Sequence, residues 1–181
     1  MRASLIATNV QKVLDFIIEN PGKQFLSNEV ERNTRLSRAG VNFALRKLAK
    51  DKLVLREKKA KIYVYSVDPK KPIIKQLKIL KNILLLQDIM KQLKECSQRI
   101  VLFGSCARGE NTGDSDIDLF ILTNTPKAAD EIIKKNKLKK KLQPIVRNAT
   151  QYVKMETSGS VFYEEIQYGI TLWEHIDESR I

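Results

Sequence analysis

Histidine is almost missing from this chain. His175 stands alone among 181 residues, which excludes a His-rich metal centre, and its position suggests the C-terminal surface. Cysteine is nearly as scarce. Cys96 and Cys106 are the only two, too few for a disulfide framework and in keeping with a reducing cytoplasm. No apolar run approaches the ~20 residues that a membrane span needs. The opening stretch MRASLIATNVQKVLDF has no signal-peptide cleavage pattern and grades into an amphipathic helix. These absences lead to the expectation of a cytoplasmic protein without a membrane partner.

Acidic residues are short in one half only. Residues 1–70 hold 15 Lys and Arg against 7 Asp and Glu, residues 71–98 hold 6 against 2, and residues 99–181 hold 12 against 12. The whole net charge of +12 therefore belongs to the first half. A basic module joined to a neutral one suggests a polyanion-binding part and a separate site. The length allows one large or two small domains.

The neutral part is organised around Ile100–Leu122, IVLFGSCARGENTGDSDIDLFIL. Ile100–Phe103 reads as a buried strand. Gly104 and Ser105 make a turn that opens a helix, whose free backbone N–H groups and Ser hydroxyl suit phosphates. A second apolar run then carries Asp116 and Asp118 in alternation with Ile117, Leu119 and Ile121. On a strand the two carboxylates point one way and the aliphatic side chains point into the core. Paired carboxylates repel, and Mg²⁺ shared with a substrate's phosphates would relieve that repulsion. The plainer alternative is a solvated edge strand beside an ordinary turn.

The segment G-S-C-A-R-G-E-N-T-G-D-S-D-I-D-L closely resembles the G-S-x-A-R-G…S-D-I-D-L signature of the minimal nucleotidyltransferases, in the polymerase-beta nucleotidyltransferase superfamily. The resemblance covers roughly residues 98–175, and the tail S-V-F-Y-E-E-I-Q-Y-G-I-T-L-W-E is similar to the ending of that family. It implies that Gly104 and Ser105 contact the triphosphate and that Asp116 and Asp118 are the catalytic, Mg²⁺-holding pair. Arg108 is a further candidate phosphate contact, because a guanidinium binds oxyanions bidentately. The implied cofactors are Mg²⁺ and an NTP, with ATP the preferred guess. The superfamily places a third acid on a later strand. The corresponding strand here is Leu142–Val146, which carries Gln143, and an amide cannot accept a proton. Glu110 and Glu164 are the alternative sources of an acid.

The first 69 residues show a helix over Ile6–Glu19 and a second, capped by Ser27, through Asn33. A third, capped by Ser37, runs from Arg38 to Asp51. Strands at Leu53–Arg56 and Ile62–Val67 flank a basic tip, Glu57–Lys61. This order resembles a winged helix-turn-helix, with Arg38, Asn42 and Arg46 on one stripe of the third helix and Lys58, Lys59 and Lys61 at the wing. The resemblance implies that these six residues contact duplex DNA. A solvated basic face on a protein-interaction domain is the alternative.

The expected fold class is α+β. Its parts are a winged helix-turn-helix DNA-binding domain over 1–69, a linking helix over 70–97, and a nucleotidyltransferase-fold α/β domain with a small mixed sheet over 98–181. Residues 72–95 read as one helix with a wide apolar surface. That surface fits a homodimer, packing on both domains, or a place wholly within the C-terminal core. After the metal strand come a helix over Pro126–Lys137, the lysine-rich stretch 134–141, the strand Leu142–Val146, helices at Ala149–Met155 and Val161–Tyr168, and a closing strand, Ile170–Trp173. The functional expectation is a DNA-binding protein with a Mg-NTP-binding domain, a transcriptional regulator that binds a nucleotide or transfers one to an acceptor. The alternative is an active nucleotidyltransferase of toxin–antitoxin, small-molecule-modifying or protein-modifying type, whose basic part binds a nucleic-acid or protein partner.

Overall fold

The computed structural model describes residues 8–175, which fall into two compact units divided between Lys78 and Ile79. In the first unit α1 (Asn9–Ile18) is capped by Thr8, whose hydroxyl accepts the Gln11 N–H at 3.3 Å. The expected start at Ile6 lies outside the described residues. Helix α2 (Ser27–Thr34) begins one residue earlier than Ser27 capping would allow. Leu26 is the extended cap residue, and its N–H donates to the Glu29 carboxylate at 2.7 Å. Glu29, three residues on, thus supplies the side-chain acceptor for the cap N–H, as the acidic member of a capping box does. Helix α3 (Arg38–Lys50) is capped by Ser37 and buries Val41, Ala44, Leu45 and Leu48, as its spacing predicts.

Strands β1 (Leu55–Lys59) and β2 (Ile62–Ser66) form an antiparallel hairpin. It is tighter than its sequence suggests. Leu53 and Val54 are not in the strand, since both N–H groups bond to the Leu48 carbonyl and close α3. Lys58 and Lys59 lie in β1, not in the tip, and the turn narrows to Ala60 and Lys61, with Ala60 at φ 51°. Phe25 adds a rung on the other edge of β2, exchanging two 2.8 Å hydrogen bonds with Tyr65. Val13, Ile17, Leu45 and Leu48 from α1 and α3, with Tyr65 and Val67 from the β2 side, form this unit's core.

Helix α4 (Pro72–Leu93) opens on Pro72, where a missing N–H costs nothing. The boundary between the two units falls within it. No helix among the described residues is long and apolar enough to cross a membrane.

In the second unit a four-stranded sheet has the order β5-β4-β3-β6. Strand β3 (Arg99–Phe103) runs antiparallel to β4 (Ile117–Leu122) and to β6 (Ile170–Glu174), while β4 runs parallel to β5 (Leu142–Arg147). The short helix α5 (Gly104–Arg108) follows β3 directly, and α6 (Pro126–Lys135) connects the parallel pair. Helices α7 (Ala149–Thr157) and α8 (Val161–Gln167) come before β6. Side-chain alternation divides the sheet. Ile100, Leu102, Leu119 and Ile121 pack with residues of α4 and α6 on one face. Val101, Phe103 and Phe120 pack with Ile166, Phe162 and Tyr152 of α8 and α7 on the other. The fold is α+β with a small mixed sheet, as expected. Helix α6 stops at Lys135, two residues short of its expected end, where Asn136 turns extended.

Candidate nucleotide site

The register of β3 and β4 builds the site. Phe103 stands opposite Asp118, so the chain leaves β3 beside the carboxylate and must turn at once. Gly104 makes that turn at φ +66°, a left-handed conformation that disfavours any side chain. A β-carbon there would overlap Oδ2 of Asp118 and lie 3.0 Å from its Cγ. Glycine at 104 thus satisfies a backbone demand and a close approach together. Ser105 follows, half-buried, as the second residue of α5. The helix ends at Gly109, again left-handed at φ 66°, and the Glu110 N–H bonds to the Ser105 carbonyl at 2.9 Å.

Asp118 shares its sheet face with Phe120 and Phe103, the face that α7 and α8 cover. The Phe162 ring meets Phe103 edge-on at 5.5 Å, which docks α8 beside the carboxylate end of β3. The Asp118 carboxyl is pushed above the ordinary carboxylate value. Burial is the main cause, with the charges of Asp116 and then Glu165 adding to it, while the Arg108 guanidinium pulls the other way. Asp116 is exposed and sits just before β4. Asp118 thus feels the negative charge of two neighbouring carboxylates against the opposing charge of Arg108.

Gln143 occupies the place expected for it. It is the register partner of Asp118 across the parallel pair, and its Nε2 donates to Oδ2 of Asp116 at 2.9 Å. An amide N–H therefore solvates the Asp116 carboxylate where a third carboxylate would repel it. Among the described residues no group of three or more His, Cys, Asp or Glu could hold a metal ion. The two aspartates, together with incoming phosphate oxygens, form a donor set that suits Mg²⁺. Arg108 is exposed and pairs through Nε with Glu110 at 3.1 Å, so its guanidinium is already partly engaged.

Two further residues shape the site and were not singled out in the sequence. Asn82 of α4 is 6% exposed and donates to the Cys106 carbonyl at 2.9 Å and to Oδ1 of Asn111 at 3.1 Å. It ties α5 and the loop after it to α4. A polar residue inside an apolar helical pattern was the available signal. Cys106 fills a buried position beneath the turn, and its thiol reaches the Asp116 carbonyl at 3.3 Å. The other residue is Glu165. Periodicity alone cannot phase a seven-residue helix, and the α8 glutamate whose charge adds to the raised Asp118 pKa is Glu165.

Residues 83–167 match the nucleotidyltransferase domain family. The match spans the Gly104 turn, both aspartates and Gln143. A solved chain from Sulfolobus solfataricus, assigned to the nucleotidyltransferases, shares 14% identity with this chain at a TM-score of 0.41, covering 60% of this chain and 94% of its own length. No curated protein matches the chain.

The candidate DNA-contacting residues occupy the first unit. Arg38 and Arg46 are exposed and Asn42 is half-buried on α3. Lys58 and Lys61 are exposed at the hairpin. Lys59 is engaged, with its ammonium bonded to Oε1 of Gln24 at 2.6 Å. Arg56 lies over the Tyr63 ring, 3.7 Å from its centroid. Phe43 is 64% exposed in the midst of the α3 cations, an aromatic that the charge pattern concealed.

Proposed function

We propose that the turn at Gly104 and the carboxylates of Asp116 and Asp118 bind a nucleoside triphosphate with Mg²⁺, and that the basic first unit binds duplex DNA. The protein is then a nucleotide-responsive DNA-binding regulator. The observation that carries the regulatory reading is the Gln143–Asp116 hydrogen bond. It puts an amide where a proton acceptor would serve transfer, and keeps the site suited to binding. Gly104 and Ser105 would meet the phosphate oxygens, while Asp116 and Asp118 would hold the metal, which offsets phosphate charge. For the first unit, support comes from its net positive charge, its three capped helices and its short-turned hairpin, an order compatible with a winged helix-turn-helix.

One observation favours an active enzyme as the second reading. The charge of Glu165 adds to the raised Asp118 pKa, which puts a third carboxylate, on α8, within electrostatic reach of Asp118. Incubation with α-labelled NTPs and Mg²⁺ separates the two readings. A regulator retains bound, intact nucleotide; a nucleotidyltransferase given an acceptor releases pyrophosphate and labels the acceptor.

A further inference from the structure

Six of the 12 Lys and Arg residues in 99–181 fall within eight positions: Lys134, Lys135, Lys137, Lys139, Lys140 and Lys141. That stretch has no acid, whereas the rest of 99–181 holds 6 cations against 12 acids. An ordinary solvated helix end interleaves its lysines with acids one turn away. Among the described residues the stretch makes one ion pair, Lys135 with Glu131 at 3.9 Å.

Uncharged groups hold the stretch in shape. Oδ1 of Asn136 accepts the Leu138 N–H at 2.9 Å, and the Asn136 carbonyl accepts the Lys139 N–H at 3.2 Å. Leu138 packs against the core beneath the sheet. The far end is fastened to the nucleotide site. The Lys141 ammonium donates to the Gly113 carbonyl at 2.8 Å, and the Lys141 carbonyl accepts the Ile117 N–H at 2.7 Å, between Asp116 and Asp118. Lys134, Lys137, Lys139 and Lys140 remain exposed, and their ammonium groups have no partner among the described residues. A shaped turn with four unpaired cations, fastened beside a pair of carboxylates, presents itself to an external polyanion.

We propose that the turn over residues 134–141 docks the phosphodiester backbone of a single-stranded nucleic acid and leads it to the Asp116–Asp118 site. No aromatic residue lies in the stretch, so recognition runs through phosphates and not through base stacking. The lysine turn adjoins the aspartates directly, and a flexible strand can follow that short path where duplex, with a persistence length of about 150 bp, cannot. The choice of nucleic acid over an acidic protein rests on the nucleotide reading of the neighbouring site.

The test uses the full chain with Arg38, Arg46, Lys58 and Lys61 changed to Gln, which removes four of the six candidate DNA-contacting cations of the first unit. In that background Lys134, Lys137, Lys139 and Lys140 are also changed to Gln, or in parallel to Arg. Anisotropy is followed with a labelled single-stranded 20-mer across a salt series. Loss of four phosphate contacts should flatten the log–log salt slope by about 3 and weaken low-salt binding by about tenfold or more. The Arg variant should bind normally, and calorimetric Mg-NTP binding should not change. An unchanged slope in the Gln variant overturns the proposal. So does polyglutamate or a same-length duplex competing as well as the strand. Strand binding that follows the lysines without any NTP binding upholds the docking surface and removes the nucleotide reading instead.

Discussion

Asp118 holds its position against its own electrostatics. Burial and the charges of Asp116 and Glu165 raise its pKa. An acid whose folded pKa lies above its unfolded value favours folding while protonated, and that contribution is lost as the pH rises through the folded pKa. At pH 7 the ionised group therefore destabilises the metal-free protein. Asp118→Asn should raise the metal-free melting temperature at pH 7, with the gain shrinking as the pH falls through the raised folded pKa and gone below the ordinary carboxylate value of about 4, and should abolish Mg²⁺-dependent NTP binding. Thermal melts with and without Mg-NTP check both effects. Gly104→Ala acts in the opposite direction. Its left-handed backbone costs an L-residue ~1–2 kcal/mol, and the new methyl must displace Asp118. Urea titration should show lower stability, and calorimetry should show lost NTP binding. Gln143→Glu replaces an amide donor by a carboxylate beside Asp116. Nucleotidyl transfer to a hydroxyl acceptor should rise or first become measurable, with NTP affinity little changed. Equal and rapid transfer by both forms would mean that the acid comes from elsewhere, with Glu165 the candidate.

Among the elements, α8 links packing to chemistry. Ile166 is fully buried and Phe162 meets Phe103, so the helix that walls the carboxylates is held by the second sheet face. Ile166→Ala should cost ~2–5 kcal/mol by denaturant unfolding and weaken NTP binding as α8 loosens. In the first unit the structure separates the hairpin lysines. Lys59 is bonded to Gln24 and Lys58 is on the opposite side of β1. Lys58→Gln should therefore reduce duplex binding more than Lys59→Gln in an anisotropy titration. Long amphipathic elements such as α3 were legible because Val41, Ala44, Leu45 and Leu48 repeat at helical spacing over several turns. The Gly-Ser turn, Asp118 on β4 and the place of Gln143 were legible from the strand pattern, whereas Asp116, expected on the same strand, falls just before it. What escaped was set by single contacts: Leu26 capping α2 through Glu29, Leu53 and Val54 closing α3 instead of opening β1, and the phase of α8 that selects Glu165. Local pattern does not encode such tertiary choices.

At the scale of the whole molecule, charge and chemistry are divided between the units. The net charge of +12 resides in the first 98 residues, and the last 83 are neutral. Duplex binding by the full chain should therefore depend steeply on salt. The six candidate cations Arg38, Arg46, Arg56, Lys58, Lys59 and Lys61 would neutralise ~4–6 phosphates, for a log–log slope of about −4 to −5. The central claim is that the Gly104 turn and the two aspartates form one Mg²⁺-dependent nucleotide site. Isothermal titration of the full chain with ATP, with and without Mg²⁺, in the wild type and in the Asp116→Asn/Asp118→Asn double variant, tests it most directly. The account predicts saturable binding by the wild type with Mg²⁺ alone, and none by the double variant. Equal ATP affinity in all four titrations would contradict it.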